Sequence, residues 1–196
     1  MYDNTCLEII KQIYLTPGIH KRGLSKKLKV GMPSIDYALK KIEKLLTKKK
    51  SGNQITYFLD YSKEDLVPML HVIEHQRLEK LPSKVRIAIT SFLSELKEKP
   101  IIAIIFGSYA VGDYTKKSDI DILLIFQKLE NSKLIESVAR RVSMKTNTKI
   151  NPVYLDYDSF ITSFHDSTKE FFKKLKENKI IILGFNYWRQ IVNEEA

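Results

Sequence analysis

Two short apolar runs, Ile101–Phe106 and Ile120–Phe126, constrain this chain more than any other feature. Each is the length of a buried strand and too short for a buried helix. The second run is entered at Asp119 and carries a second acid at Asp121. Side chains two apart on a strand share one face, so Asp119 and Asp121 should stand side by side. The residues between and after them, Ile120, Ile122 and Leu123, are apolar. Two adjacent carboxylates on a buried strand repel each other unless a cation neutralises them. Hard oxygen donors suit magnesium, which takes one or two carboxylates together with substrate phosphates.

The link between the two strands is informative in its own right. It reads Gly107-Ser108-Tyr109-Ala110-Val111-Gly112-Asp113-Tyr114-Thr115-Lys116-Lys117-Ser118. Gly107 ends an apolar strand, and Ser108 can cap a short helix. A glycine there lets backbone N–H groups approach a phosphate, and a helix N-terminus favours its charge. Lys116 and Lys117 either touch phosphates or are simply solvated. A Walker-type P-loop is excluded, because no Gly-Lys-Ser/Thr follows Gly107. Together these parts would seat a triphosphate between backbone donors and metal ions, the apparatus of in-line phosphoryl transfer.

Gly107-Ser108, a gap, then Ser118-Asp119-Ile120-Asp121 with its apolar flank resembles the signature of the DNA polymerase beta-like nucleotidyltransferases. The likeness is greatest to the minimal and the antibiotic nucleotidyltransferases. It spans roughly residues 83–184. The resemblance implies that Gly107 and Ser108 hold the phosphates of a nucleoside triphosphate. It implies that Asp119 and Asp121 hold two Mg2+ ions, and that a nucleoside monophosphate passes to a hydroxyl acceptor. Some minimal nucleotidyltransferases modify or bind a partner toxin, so a protein acceptor or toxin partner is a further implication. The family also supplies a third carboxylate from its third strand. Here that position aligns with Asn151, an amide that cannot act as a general base. Asp156 follows in the chain, and a helix cap is its expected role. Asn151 therefore keeps open the alternative of a nucleotide-binding domain with weak or no turnover.

The front of the chain has a different grammar. Residues 1–60 hold twelve Lys/Arg against five Asp/Glu, a surplus of seven, while the remainder holds 21 against 18. A basic end on a nearly balanced body points to a polyanionic partner. Leu7, Ile9, Ile10, Ile13 and Tyr14 recur at helical spacing up to Thr16-Pro17-Gly18. A short second helix is expected over Lys21–Leu28. A third is expected over Pro33–Leu46, with Ile35, Leu39, Ile42, Leu45 and Leu46 inward. Thr47–Asn53 reads as a basic turn, and Ile55, Tyr57 and Leu59 as a strand. This order resembles a winged helix-turn-helix DNA-binding domain. The resemblance implies that Ser34, Asp36, Tyr37, Lys40, Lys41 and Lys44 face a DNA groove. Lys48, Lys49 and Lys50 would contact phosphates from the wing. A homodimer is an assembly such regulators often form.

The expected architecture is thus α/β (α+β). A winged helix-turn-helix domain over residues 1–60 precedes a linker helix over 61–82. A nucleotidyltransferase domain follows over 83–196, a mixed sheet with flanking helices. One helix is expected over Ser62–Leu81, with Ser62 as its cap, and another over Asp158–Lys176. Phe185, Tyr187 and Trp188 are expected to pack. His71 and His75 stand four apart without a third ligand, so packing or surface roles are expected. The single cysteine, Cys6, forms no intramolecular disulfide and reads as a core residue. Asp3, Glu8 and Lys11 break any signal-peptide pattern, and no apolar run is long enough to span a bilayer. A cytoplasmic protein without a membrane partner is expected. Two functions follow: a Mg-dependent nucleotidyltransferase coupled to DNA binding, or a winged-helix transcriptional regulator carrying a catalytically weak nucleotide-binding domain.

Overall fold

Asp3 starts the first helix: its carboxylate accepts a hydrogen bond from the Cys6 N–H at 2.9 Å, satisfying a donor of the opening turn. The computed structural model describes residues 3–129, 131–166 and 168–193. It forms two compact units, Met1–Ile73 and Glu74–Ala196. In the first, α1 (Asn4–Leu15) is followed by β1 (Ile19–His20), α2 (Lys21–Leu28), α3 (Met32–Lys41), β2 (Leu46–Ser51) and β3 (Gln54–Leu59). The strands form an antiparallel sheet in the order β1-β3-β2. Cys6, Ile9, Ile10, Leu24, Ile35, Ile42 and Leu45 are buried and close the core of this unit.

Three expectations for this unit change. The third helix stops at Lys41, and Glu43–Leu45 is a 3-10 turn. The apolar spacing persists because Ile42 and Leu45 still point inward through the tighter turn, while Leu46 leaves to pair with Leu59. The lysine run lies on β2 itself, and the turn is confined to Gly52-Asn53. Lys48, Lys49 and Lys50 pair in register with Tyr57, Thr56 and Ile55. Lysines are well tolerated on an edge strand, where they also discourage further pairing. Finally, α4 spans Leu66–Glu79, not Ser62–Leu81. The Ser62 N–H and hydroxyl donate to Asp60 Oδ1, which holds a turn, and Pro68 falls in the first helical turn, where no N–H is needed.

The second unit continues with α5 (Ser83–Glu95), β4 (Ile102–Phe106), α6 (Ser108–Val111), β5 (Ile120–Phe126), α7 (Ser132–Thr146) and β6 (Ile150–Asp156). It closes with α8 (Tyr157–Phe164), α9 (Glu170–Glu177), β7 (Ile180–Leu183) and α10 (Phe185–Asn193). The sheet order is β6-β5-β4-β7, with β4 antiparallel to both β5 and β7 and β5 parallel to β6. The architecture is therefore mixed α/β with helices on the sheet. Alternation on β5 sends Ile120, Ile122, Leu124 and Phe126 into one core with Val85, Ile89 and Phe92 of α5 and Val138 and Val142 of α7. Glu95 ties these two helices by pairing with Arg141 at 2.8 Å and Lys145 at 3.0 Å.

An aromatic cluster of Phe160, Phe164, Phe172 and Trp188 joins α8, α9 and α10. Trp188 and Phe185 are buried, as packing residues should be, whereas Tyr187 is 43% exposed. The expected helix over Asp158–Lys176 is two helices. Between them the Asp166 carboxylate accepts from the Thr168 N–H and hydroxyl, an Asx-type turn that competes with helix. Gly184 turns the chain from β7 into α10 at φ +79°, and any Cβ there would overlap the Ile101 carbonyl oxygen. Among the described residues no helix is long and apolar enough to cross a membrane.

Candidate active site

Gly107 leaves β4 at φ +67° and ψ −150°, a conformation that residues with a side chain avoid. The antiparallel register sets Phe106 opposite Asp121, so the glycine backbone lies beside that carboxylate. A Cβ on Gly107 would stand 3.3 Å from Asp121 Cγ and collide with its Oδ2. Glycine is thus required twice, by the backbone angle and by the acid packed against it. The turn then enters α6, where the Ala110 and Val111 N–H groups return to the Gly107 carbonyl. The N–H groups of Ser108 and Tyr109 head that short helix.

Asp119 stands one residue before β5, and Asp121 is its second residue. Both are partly buried. The next strand faces each acid with a nitrogen. Asp121 lies in register with Asn151 of β6, whose Nδ2 donates to Asp121 Oδ1 at 2.9 Å. Lys149, two residues earlier, makes an ion pair with Asp119 Oδ2. That hydrogen bond and the charge of Asp119 hold the Lys149 ammonium above the usual lysine range. Asp156 caps α8 by accepting from the Ser159 N–H at 2.8 Å, at the far end of β6 from Asn151. Its carboxyl is lowered by that backbone bond.

Asp119 also borders an open cavity of about 810 Å³, lined further by Lys84, Tyr109, Tyr114, Lys116, Lys117 and Lys149. Tyr109 and Tyr114 stack at 4.6 Å between ring centroids. Burial, then the charges of Tyr114 and Asp119, push the Tyr109 phenol up. Lys116 and Lys117 are exposed on the turn between Thr115 and Ser118, where the Thr115 N–H donates to the Ser118 hydroxyl at 2.9 Å. The structure thus brings Gly107, Asp121 and Asn151 into one cluster. Asp119, Lys149, Lys116 and Lys117 line the adjoining cavity. Ser108 follows directly on the glycine turn.

Lys149, Lys84 and the tyrosine pair escaped the sequence reading. For Lys149 a signal existed: Lys149 and Asn151 repeat the two-residue spacing of Asp119 and Asp121 on the next strand. The donor set of Asp119 and Asp121 fits one hard divalent cation by its chemistry. Among the described residues no group of three or more His, Cys, Asp or Glu side chains converges. His71 and His75 are both exposed.

In the first unit, Ser34, Asp36, Tyr37 and Lys40 are exposed along α3, Tyr37 by 66%. Lys41 pairs with Asp3 at 3.0 Å, and Asp36 with Lys21 at 2.5 Å. Lys44 sits on the 3-10 turn and pairs with Asp65 at 3.0 Å. On β2, Lys48 pairs with Glu43, Lys49 lies 5.1 Å from the Phe58 ring centroid, and Lys50 is exposed.

The match to a family model falls within the second unit. Residues 88–184 match the family model described as polymerase beta, nucleotidyltransferase. The Methanocaldococcus jannaschii protein named "Putative protein adenylyltransferase MJ0141" is 38% identical over 81 residues, 39% of this chain and 79% of that protein. A solved toxin-antitoxin structure with AMP-PNP aligns with a TM-score of 0.43 at 14% identity, covering 58% of this chain and 83% of that one. On the strength of the matched model and of the identity across most of that relative, this chain belongs to the polymerase beta nucleotidyltransferase family.

Proposed function

We propose that the second unit transfers a nucleoside monophosphate from a nucleoside triphosphate to a hydroxyl group with release of pyrophosphate. The observation that carries this reading is the packing of the Asp121 carboxylate against the Gly107 backbone, with Asp119 two residues earlier at the head of the same strand. Gly107 and Ser108 would receive phosphate oxygens at the head of α6, and Lys116 and Lys117 would reach them from the cavity rim. Asp119 and Asp121 would hold Mg2+, which would supply neutralisation of the phosphate charge that builds up in transfer. The acceptor oxygen bonds the α-phosphorus, and the bond to the bridging oxygen of pyrophosphate breaks. Asn151 has no basic atom, so the acceptor proton is left to solvent. The adenylyltransferase name carried by the relative supports adenylyl as the group moved and a protein hydroxyl as the acceptor.

For the first unit we propose a winged-helix domain that binds DNA. Its element order, its β1-β3-β2 sheet and the exposed face of α3 support this, as does the basic surplus of residues 1–60. Tyr37 and Lys40 would enter the groove, and Lys49 and Lys50 would touch phosphates. A second reading, a regulator whose nucleotidyltransferase domain senses nucleotide without turnover, is favoured by Asn151 standing in register with Asp121. Incubation with each nucleoside triphosphate labelled at the α-phosphate, with magnesium, separates the two. Label transferred by the wild type and lost in Asp119→Ala/Asp121→Ala supports the enzyme. No transfer, with DNA retained equally by both proteins, supports the regulator.

A further inference from the structure

We infer that this site works with a single bound divalent cation, the Lys149 ammonium taking the place of the second positive centre. The inference rests on the phosphoryl-transfer reading above and goes beyond it. Two facing strands carry it. At the start of β5 stand two acids; at the start of β6, where a third acid would complete a two-ion cage, stand Lys149 and Asn151. Each is already bonded to an acid, Lys149 to Asp119 Oδ2 and Asn151 to Asp121 Oδ1.

The direction of the second bond follows from chemistry. An ionised carboxylate only accepts, so the amide must turn its NH2 toward Asp121. Asn151 thus spends its NH2 on Asp121, and its remaining amide oxygen is neutral where a two-ion cage has a charged carboxylate. Two acid oxygens, Asp119 Oδ2 and Asp121 Oδ1, are engaged by nitrogen, so each acid has one oxygen left for a cation. That is one cation's share of carboxylate, with water and phosphate oxygens completing the shell.

Charge balance agrees. Exchanging a carboxylate for an amide removes one negative charge, and the lysine adds one positive. The two changes together equal the charge of one divalent ion, so the site can lose that ion without becoming more negative. A lysine is a compact point charge with three donors, able to serve a carboxylate and a phosphate oxygen at once.

The test counts ions and does not depend on turnover. The full chain is titrated with Mn2+ in the presence of a non-hydrolysable adenosine triphosphate analogue and followed by electron paramagnetic resonance. Two ions in a shared cage lie about 3.5–4 Å apart and couple magnetically. The wild type should bind one uncoupled ion per chain. Lys149→Gln/Asn151→Asp, which restores the third acid and removes the ammonium, should bind two coupled ions. Lys149→Gln alone should keep one ion and weaken binding of the analogue by about tenfold, the loss of one charge-assisted hydrogen bond. A coupled pair in the wild type overturns the inference, as does a single ion in the double variant. Binding of no ion by either protein removes the phosphoryl-transfer reading itself.

Discussion

Replacing Gly107 by alanine separates two demands that the fold places on one residue. Gly107 and Gly112 both hold positive φ, +67° and +94°. A Cβ on Gly112 meets nothing within 4 Å, whereas one on Gly107 runs into the Asp121 carboxylate. Strain alone should cost about 1–2 kcal/mol at Gly112 in its left-handed conformation. At Gly107 the φ/ψ pair is glycine-only, and about 1–3 kcal/mol is expected. Backbone strain is therefore similar in the two variants, and urea denaturation should find Gly107→Ala lower only by the further cost of moving the Asp121 carboxylate. Function should not. Gly107→Ala must push the Asp121 carboxylate aside and break its bond from Asn151. A displacement of about 1 Å in a positioning group costs on the order of 100-fold in rate. Label transfer should fall by about that factor in Gly107→Ala and stay within about threefold of wild type in Gly112→Ala, since no reacting group moves. Equal losses in the two variants would refute the claim that Gly107 is a glycine because of Asp121.

Other perturbations test separate parts of the account. Asp121→Asn keeps the shape but removes the charge and leaves Asn151 facing an amide; transfer should drop below detection while circular dichroism stays unchanged. Burial drives the Lys179 ammonium down to about 8, with Glu74 drawing it up and Arg77 pushing it further down. Because the folded value lies below the ordinary 10.5, the unfolded chain holds more protons between these limits, and stability should rise as pH climbs from about 8 to 10.5. The full penalty, on the order of 3 kcal/mol, is present at pH 7. Lys179→Met should therefore stabilise the protein at pH 7 and flatten that rise in pH-dependent melting. Phe160→Ala, at the centre of the α8–α10 aromatic cluster, should cost about 3–5 kcal/mol in urea denaturation. If the first unit binds DNA through phosphates, Lys50→Ala should weaken binding to any duplex and reduce the salt slope by about one unit.

The sheet and its acids were legible because strand signals here are strong and local. Asp119 and Asp121 stand two apart at the head of an apolar run, and the two-residue period of a strand alone puts them on one face. Boundaries that depend on partners were less legible. The pattern of α3 continues through Ile42 and Leu45, so periodicity cannot register that the backbone tightens into a 3-10 turn before Leu46 pairs with Leu59. The lysines of β2 resemble a loop by composition, yet β3 supplies hydrogen bonds that composition does not record. The break after Phe164 comes from a side chain, Asp166, competing with the helix, in a stretch whose apolar spacing runs on to Leu175. In the candidate site, alignment with the family's third strand singles out Asn151, which lies in register with Asp121 on β6. Lys149 repeats with Asn151 the two-residue spacing of the acids, but only the parallel pairing of β5 with β6 brings it onto Asp119.

We propose that the Gly107 turn and the Asp119/Asp121 pair form one pocket for a cation and a triphosphate. A crystal of the full chain grown with Mn2+ and a non-hydrolysable adenosine triphosphate analogue, read by anomalous scattering, addresses it most directly. We expect a manganese peak at Asp119 and Asp121, with phosphate oxygens against the Gly107 and Ser108 N–H groups. Phosphates bound elsewhere, or no metal at the two acids with nucleotide present, would contradict it.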